Sequence, residues 1–174
     1  MINTVGGVVV GHDTVGGLIG LNSGDITGGR DGEEYNVDNY YKYHISNNGN
    51  IKAQKWSIDD DGNVTVNGDF GDNVGGLIGK NITQQVTENE ETVFKGSIIA
   101  AYNTGAVTGK NNVGGIVGSN AGSVSEVFNT VLVQDATRDE DGNVTINGYS
   151  DGAITGATNV GGLIGYNTGS LSSA

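Results

Sequence analysis

The sequence contains no cysteine and no proline. Without cysteine there is no disulfide, no thiolate nucleophile and no cysteine-based metal site, so burial and backbone hydrogen bonds alone must hold the fold. Because proline and a Gly-X-Y period are both missing, the 32 glycines cannot belong to a collagen-like or proline-rich segment. The glycines are therefore expected to serve turns.

Basic residues are scarce: 8 Lys and Arg side chains stand against 20 Asp and Glu, which gives a formal net charge of -12. This charge repels a phosphate backbone and so removes the attraction behind most non-specific nucleic-acid binding. Long apolar runs are also missing, since the longest, 8–10 and 97–101, are far shorter than a membrane span. These absences argue against nucleic acid as a partner and against membrane insertion.

One hexapeptide, Val-Gly-Gly followed by two aliphatic residues and a glycine, recurs along the chain. Its copies span 15–20, 74–79, 113–118 and 160–165, with a decayed copy at 5–10. Three copies continue into an Asn-x-Gly sequence, at Asn22, Asn120 and Asn167, whereas the copy before Asn81 has Thr83 where glycine is expected. Two related passages, 105–109 and 152–156, precede the third and fourth copies in one register. Such self-similarity indicates a repeat architecture.

The hexapeptide has a geometric interpretation. In an uninterrupted strand Val15 and Leu18 would face opposite sides, but a corner at Gly16 and Gly17 lets both side chains point inward. The following Asn tolerates left-handed backbone geometry, and stacked coils would arrange such side chains in a ladder. Each fully buried Val, Leu or Ile contributes roughly 1.5 to 3 kcal/mol, so a narrow core is stable only where neighbouring coils cover it.

These features predict an all-β fold, a parallel β-helix or β-solenoid with β-hairpin insertions, in a single domain over residues 1–174. The unequal spacing of the hexapeptides predicts insertions near 30–58, 82–97 and 127–149. The first is expected to be a hairpin with an Asn-Gly turn at 47–50 between strands over 40–46 and 51–58. The second and third hairpins are predicted to pair 82–87 with 92–99 and 127–134 with 143–149. No 11-residue window has a helical apolar period between plausible caps, so helix is expected to be nearly absent.

The Val-Gly-Gly-Leu-Ile-Gly-x-Asn-x-Gly units resemble the GLUG motif, a repeat of large secreted bacterial proteins that include filamentous-haemagglutinin-like adhesins. The resemblance covers about half of the chain in four copies. It implies a β-solenoid module that is secreted or displayed on a bacterial cell surface. The long insertions are where this sequence departs from a plain tandem array.

Aromatic residues concentrate in one part of the chain. Tyr35, Tyr40, Tyr41, Tyr43 and Trp56 form this cluster. Exposed aromatic side chains on a rigid sheet stack on sugars or anchor a protein partner, and Tyr40, Tyr41, Tyr43 and Trp56 are the candidate binding residues. The alternative is that these side chains form the small core of an insertion.

Two acidic stretches, 59–63 and 139–143, place Asp at alternate positions before Gly, as at the start of a calcium loop. Both lack the preceding Asp, and glycines Gly68 and Gly148 stand where the bidentate Glu is expected. The pattern favours Asp-Gly hairpin turns with solvated carboxylates. Calcium binding by Asp59, Asp61, Asp139 and Asp141 is the alternative, and no other cofactor is expected.

The sequence offers little catalytic chemistry. His12 and His44 are the only histidines, no Gly-x-Ser-x-Gly elbow occurs, and no Gly-Lys-Ser/Thr follows the glycines. Few basic residues lie near the acidic stretches, which disfavours a β-helix polysaccharide lyase or hydrolase. We therefore predict a protein that is not an enzyme.

The first functional hypothesis is an adhesin-type module that mediates attachment to a host or bacterial surface through a glycan or a protein. The alternative is a structural subunit that stacks end to end on other copies of itself into an extracellular filament, because a solenoid has open ends. Repeat-like sequence at 5–10 and 162–174 favours this alternative.

Overall fold

Short strands separated by corners make up most of the described chain, and the described residues form no helix. The computed structural model describes residues 1–4, 6–28, 45–130, 136–138, 144–146 and 153–172. The coil strands form four sheets in which neighbours pair in parallel. The predicted β-solenoid architecture is confirmed.

The strands are numbered along the chain and grouped by sheet. Sheet 1 contains β1 (Ile2–Asn3), β5 (Ile26–Thr27), β6 (Ile45–Asn47), β13 (Ser97–Asn103), β17 (Ser123–Asn129) and β23 (Ser170–Ser172). Sheet 2 contains β2 (Val8–Gly11), β7 (Asn50–Ile58), β14 (Val107–Thr108) and β20 (Ile154–Thr155), with β8 (Val64–Phe70) antiparallel to β7. Sheet 3 contains β3 (Val15–Gly16), β9 (Val74–Gly75), β15 (Asn111–Gly114) and β21 (Thr158–Gly161). Sheet 4 contains β4 (Ile19–Asn22), β10 (Ile78–Asn81), β16 (Val117–Asn120) and β22 (Ile164–Asn167).

Each hexapeptide belongs to one coil, and the coils stack in chain order. We call them coils 1 to 4, after the hexapeptides that begin at Val15, Val74, Val113 and Val160. The first valines of the four hexapeptides pair in register from coil to coil. Short strands that bury one face in this way need the adjacent coil to complete their hydrogen bonding.

An uninterrupted coil contains 26 residues, which is the separation between the stacked Asn103 and Asn129. Longer separations occur where an insertion leaves the stack: 59 residues from Asn22 to Asn81, 39 from Asn81 to Asn120 and 47 from Asn120 to Asn167. Insertions therefore enlarge individual coils without disturbing their register.

The hexapeptide glycines are required by close packing of the backbone. A Cβ on Gly75 would overlap the carbonyl oxygen of Ile78 in the same coil, and a Cβ on Gly76 would overlap that of Gly115 in the next coil. Neither glycine has a left-handed backbone conformation. The corner therefore needs glycine because no side chain fits between the coils.

Two apolar clusters fill the interior. The first lies between sheets 1 and 4 and includes Leu77, Ile98 and Ile116, and the second lies on the side of sheets 2 and 3 and includes Val74 and Val113. As predicted, the valine and the leucine on either side of the Gly-Gly corner face inward, but the corner directs them into different clusters.

Asparagine side chains form the predicted ladder along the edge of sheet 4. Asn22, Asn81 and Asn120 each donate a hydrogen bond from Nδ2 to Oδ1 of the asparagine in the next coil, at 2.8 Å in all three steps. The last acceptor is Asn167. Each amide also bonds a glycine at its own corner, as when Asn22 Nδ2 donates to Gly24 O at 2.7 Å. The ladder thus satisfies buried polar groups within the core wall.

Coil 2 has Thr83 where the other coils have the glycine of Asn-x-Gly, and a glycine that follows the hairpin insertion takes its role. Asn81 Nδ2 donates to the carbonyl oxygen of Gly96, at 2.8 Å, although the two residues are 15 apart in sequence. Gly96 has a φ of 113°, a region that glycine adopts without strain. Gly96 therefore takes the place at which the sequence has Thr83.

A second ladder, which the sequence analysis missed, follows sheet 1. Asn3, Asn47, Asn103 and Asn129 bond in the same way, at 2.7, 2.7 and 3.0 Å. No asparagine of either ladder has a left-handed backbone, whereas the residue before each hexapeptide does: Thr14, Asn73, Asn112 and Asn159. Asn112 and Asn159 donate to the preceding coil's Asn at 2.9 and 2.8 Å.

The hairpin predicted over 40–58 is wrong in its described part, 45–58. Strand β6 pairs with β1 and β13, and β7 pairs with β2 and β14, all in parallel. Asn47 closes the corner by donating to Gly49 O at 2.7 Å and accepting from Gly49 N at 3.3 Å. The chain therefore turns onto the next sheet and does not fold back on itself.

The other two predictions are confirmed in part. Strands β11 (Gln84–Glu88) and β12 (Glu91–Lys95) form the second hairpin, but 97–99 belong to coil strand β13. In the third insertion, β19 (Val144–Ile146) pairs with β18 (Ala136–Arg138). Residues 127–129 instead belong to coil strand β17, which pairs in parallel with β13 through its backbone groups.

Candidate functional site

Strand β7 continues past the coil and pairs with β8 in a hairpin that we call hairpin 1. Residues 50–53 of β7 pair with β2 in the coil, whereas Gln54 to Ile58 pair antiparallel with β8. A register irregularity between Gln54 and Trp56 separates the two parts. Such a bulge reorients the strand, and here it marks the point where the chain leaves the solenoid.

One face of hairpin 1 is apolar and exposed. Trp56 pairs with Val66 and Ile58 pairs with Val64, so these four side chains lie on the same face of the two-stranded sheet. Trp56 retains 39% of its accessible surface, and the three aliphatic side chains are exposed by more than half. We call these four residues the apolar face. Uncovered aliphatic side chains grouped in this way are typical of an interaction surface.

The turn of hairpin 1 is built by Asp59. Its Oδ1 accepts the N–H groups of Asp61, at 3.1 Å, and Asn63, at 2.8 Å, and its Oδ2 accepts Asn63 Nδ2 at 3.0 Å. The hydrogen bond from the Asn63 side chain, together with those from the backbone, lowers the pKa of Asp59 below its ordinary value. Asp59 thus forms the predicted Asp-Gly turn, with Gly62 at a φ of 84°.

The base of hairpin 1 rests on the corner that follows β2 in coil 1. The rings of His12 and Trp56 meet edge to face, with centroids 5.9 Å apart. His12 Nδ1 lies 2.6 Å from Asp13 Oδ2, and Asp13 Oδ1 accepts the N–H of Asp72 at 2.8 Å. The contact with His12 positions the indole of Trp56 against coil 1. A separate contact lies near the start of the hairpin, where Lys52 Nζ is 5.6 Å from the Phe70 ring centroid.

The pKa of Asp13 reflects opposing effects. Desolvation raises the pKa of Asp13, but the hydrogen bond from Asp72 N–H and the contact with His12 together lower it by more. The net result is a pKa below the ordinary value for Asp. The carboxylate is therefore charged at neutral pH and joins the corner of coil 1 to the end of the hairpin.

The second hairpin, β11–β12, is polar and tied to the coil by charge. Lys95 Nζ lies 3.3 Å from Asp25 Oδ2 and 3.1 Å from Glu88 Oε1. Asp25 Oδ1 also accepts Ser97 N–H and Oγ–H, at 3.1 and 2.8 Å, and hydrogen bonds from Ser97 lower the pKa of Asp25 to about 2. Hydrogen bonding to Glu88 raises the pKa of Lys95.

A groove of about 270 Å³ lies where hairpin β11–β12 meets the corners of coils 3 and 4. Phe94 is exposed at its rim, and Ser97, Ser123 and Ser170 line it. These serines occupy one register position in three successive coils. The groove therefore presents hydroxyl groups, and it differs from the aliphatic surface of hairpin 1.

Of the predicted binding residues, Trp56 lies on the apolar face, whereas Tyr40, Tyr41 and Tyr43 lie outside the described residues. Sequence reasoning missed Ile58, Val64 and Val66. The alternation Trp56-x-Ile58 and Val64-x-Val66 on either side of an Asp-Gly turn is the signal that would have found them.

The candidate calcium ligands are divided in the same way. Both oxygens of Asp59 accept hydrogen bonds from the turn, Asp61 lies at the exposed tip, and Asp139 and Asp141 lie outside the described residues. Among the described residues no three His, Cys, Asp or Glu side chains are grouped to hold a metal ion. Calcium binding stays a prediction.

Within the described ranges no helix is both long enough and apolar enough to span a membrane. No family model, no curated protein and no solved structure matches the chain.

Proposed function

We propose that the chain is a non-catalytic, adhesin-type module of a secreted or cell-surface bacterial protein. In this role the solenoid is a rigid support, and hairpin 1 presents its apolar face to a partner on a host or bacterial surface. The observation that carries the proposal is the exposed group of Trp56, Ile58, Val64 and Val66. The resemblance of the repeats to the GLUG motif supports the cellular setting.

The chemistry of hairpin 1 favours a protein partner. Three of the four side chains of the apolar face are aliphatic and offer no hydrogen-bond donor to a sugar hydroxyl, while Trp56 is an aromatic anchor of the kind common at protein interfaces. The tip beyond the face carries Asp59, Asp60 and Asp61. We therefore infer a partner whose apolar patch is flanked by Lys or Arg side chains.

The support behind the hairpin is suited to presentation. Ala53, just before the bulge, is fully buried in the coil, and its carbonyl oxygen accepts Gly71 N–H at 3.1 Å where the hairpin returns. Both arms are thus anchored in the solenoid wall. A surface held by such a support loses little conformational freedom on binding.

The test is binding of the fluorescently labelled protein to fixed epithelial cells. The variant Ile58→Thr/Val64→Thr/Val66→Thr keeps β-branched side chains but removes the aliphatic surface, and we expect it to lose binding by about tenfold or more. The matched control, Ser57→Ala/Thr65→Ala, changes the paired residues on the opposite face and is expected to bind as the unaltered protein does.

Two treatments of the cells identify the partner's chemistry. Trypsin should abolish binding if the partner is a protein, whereas mixed glycosidases should leave it intact. Loss of binding after glycosidase treatment alone would contradict the protein partner. Equal binding by the triple variant and the unaltered protein would contradict the role of the apolar face.

A further inference from the structure

Coil 4 leaves part of its core layer uncovered. Val160 is 38% exposed and Leu171 is 43% exposed, whereas Val113 and Val124, which occupy the same register positions in coil 3, are fully buried. Leu163 and Ile164 are likewise only partly buried. Among the described residues, coil 4 therefore has an apolar neighbour on one side only.

The exposed edge of coil 4 carries no protection against association. Residues 153–172 contain no Asp, Glu, Lys or Arg, in a chain of net charge -12. Edge strands that remain monomeric are commonly blocked by charged side chains or proline. The absence of both indicates an edge that another strand layer can join.

Coil 1, at the opposite end of the stack, has the same hexapeptide sequence as coil 4. The hexapeptides of coils 1, 2 and 4 are identical, Val-Gly-Gly-Leu-Ile-Gly. Inside the molecule, coil 1 already stacks on coil 2 through this sequence, with Val15 paired with Val74 and Ile19 with Ile78. That internal interface is a template for coil 4 stacking on coil 1 of another copy.

Gly162 has no steric requirement within the chain. A Cβ on Gly17, Gly76 or Gly115 would overlap a carbonyl oxygen of the next coil, whereas a Cβ on Gly162 would meet no atom within 4 Å. The backbone of Gly162 is not left-handed either. If coil 1 of another copy stacked on coil 4, its Gly17 carbonyl would lie against Gly162.

Gly24 in coil 1 shows the complementary pattern. A Cβ on Gly122 or Gly169 would overlap the carbonyl oxygen of the glycine one coil earlier, whereas at Gly24 the nearest atom, Asn22 Oδ1, would be 4.0 Å away. Stacking would bring the Gly169 carbonyl of a second copy to Gly24. Among the described glycines of the coils, Gly24 and Gly162 thus have neither a steric nor a conformational requirement, and they lie at the two ends that would meet.

The sheet-4 asparagine ladder has the polarity that this contact needs. Each Nδ2–H points from one coil to the Oδ1 of the next, and the series ends at Asn167 in coil 4. Its first member, Asn22 Oδ1, accepts Gly24 N–H at 3.3 Å. Asn167 of one copy is therefore a donor for Asn22 of the next.

We propose that copies of this chain stack head to tail, with coil 4 of one copy on coil 1 of the next, and so continue the solenoid across the junction. A contact between two different surfaces of identical subunits generates an open filament when it does not close into a ring. The proposed contact does not use the apolar face of hairpin 1. Failure to assemble would therefore not contradict the binding role of that face, and loss of binding would not contradict assembly.

The first experiment measures assembly by analytical ultracentrifugation and electron microscopy as protein concentration rises. We expect rods that lengthen with concentration, and more so at high salt because the copies repel each other. Gly162→Ala and Gly24→Ala should each raise the concentration for half-assembly by about tenfold or more, since the methyl group meets a backbone carbonyl.

The control for these glycine variants is Gly68→Ala. Gly68 also has no atom within 4 Å of a Cβ position, but it lies in hairpin 1 and not at a coil end. We expect Gly68→Ala to assemble normally, and all three variants to unfold at nearly the temperature of the unaltered protein. Normal assembly of Gly162→Ala and Gly24→Ala would overturn the proposed junction.

A crosslinking experiment tests the orientation of the copies. Leu21, Lys80, Ser119 and Tyr166 form one outward-facing register column, which the junction would extend from Tyr166 to Leu21 of the next copy. Since the chain has no cysteine, Leu21→Cys and Tyr166→Cys proteins each carry one thiol. Mixed under oxidising conditions, the two should form a disulfide-linked heterodimer, and neither should dimerise alone.

The geometry makes the crosslink specific to the contact between copies. Adjacent strands lie about 4.8 Å apart, within the Cα range of a disulfide, whereas coils 1 and 4 of one copy are about 14 Å apart. Dimers of Leu21→Cys alone would indicate head-to-head pairing and contradict the proposal. A protein that stays monomeric at every concentration and salt would also contradict it.

Discussion

Coils 2 and 4 contain the same hexapeptide in two different environments. In coil 2 the sequence is covered on both sides, so that Leu77 is buried, no Cβ fits at Gly76 and Asn81 is fully enclosed. In coil 4, Leu163 is partly buried, Gly162 has free space and Asn167 is exposed. The demands on this sequence therefore come from the neighbouring coil more than from the hexapeptide itself.

The largest effect expected from this comparison is at the second glycine. Gly76→Ala forces a methyl group against the Gly115 carbonyl, and we expect it to lower the free energy of unfolding by more than about 4 kcal/mol or to prevent folding. Gly162→Ala should change it by less than about 1 kcal/mol. Urea denaturation of both variants measures the difference, and equal losses would contradict it.

A smaller difference is expected at the leucine of the hexapeptide. Leu77→Ala leaves a cavity between coils and should cost about 3 kcal/mol, whereas Leu163→Ala, already partly in water, should cost less than about half as much. Chemical denaturation at a concentration where the protein is monomeric gives both values. A loss for Leu163→Ala as large as that for Leu77→Ala would contradict the prediction that Leu163 is only partly shielded from water.

Buried and exposed asparagines should differ in how much they contribute to the free energy of unfolding. Asn103→Ala removes the acceptor of Asn47 and the donor to Asn129, and we expect a cost of about 2 kcal/mol, since each buried polar group left without a partner costs about 1–3 kcal/mol. Asn159→Ala removes an exposed side chain that donates to Asn112 Oδ1, and it should cost less than about 0.5 kcal/mol. Thermal and urea unfolding should agree on this order.

The smallest effect concerns the charge that ties hairpin β11–β12 to coil 1. The pKa of Asp25 is about 2 in the folded protein and 3.8 as the ordinary value, so its contribution to stability is present above pH 3.8 and is lost as the pH falls through about 2. The melting temperature of Asp25→Asn should be lower than that of the unaltered protein at pH 5, and the difference should shrink as the pH falls to about 2. Asp61→Asn, at the tip of hairpin 1, is the control for the change of charge, and its melting temperature at pH 5 should be close to that of the unaltered protein.

Much of the coil was predictable because its causes are local. The spacing of Val15, Gly16, Gly17 and Leu18 is sufficient to predict an inward-facing corner, and the Asn-x-Gly at Asn22 predicts the first ladder. The same pattern occurs at Asn47-Asn-Gly49 and Asn103-Thr-Gly105. It predicts the second ladder once Asn-x-Gly is interpreted as a coil corner.

The positions of the hairpins were harder to predict because long-range pairing decides them. Residues 50–58 have one continuous strand pattern, yet 50–53 pair in the coil and the rest pair with β8. Nothing local distinguishes the two parts, since the partner strand β2 lies about 40 residues earlier. The role of Gly96 was not predicted for a similar reason. Gly96 accepts the hydrogen bond from Asn81 that a glycine at position 83 would accept, but a whole hairpin separates it from Asn81 in the sequence.

The central claim, that consecutive coils protect one another, is tested most directly by amide hydrogen exchange on the monomer. Leu77 N–H donates to Ile116 O at 3.0 Å and Ile116 N–H to Leu163 O at 2.8 Å, whereas Leu163 belongs to the coil with an open edge. Slow exchange at Leu77 and Ile116, with fast exchange at Leu163, is the predicted result. Equal rates at all three amides would contradict the account.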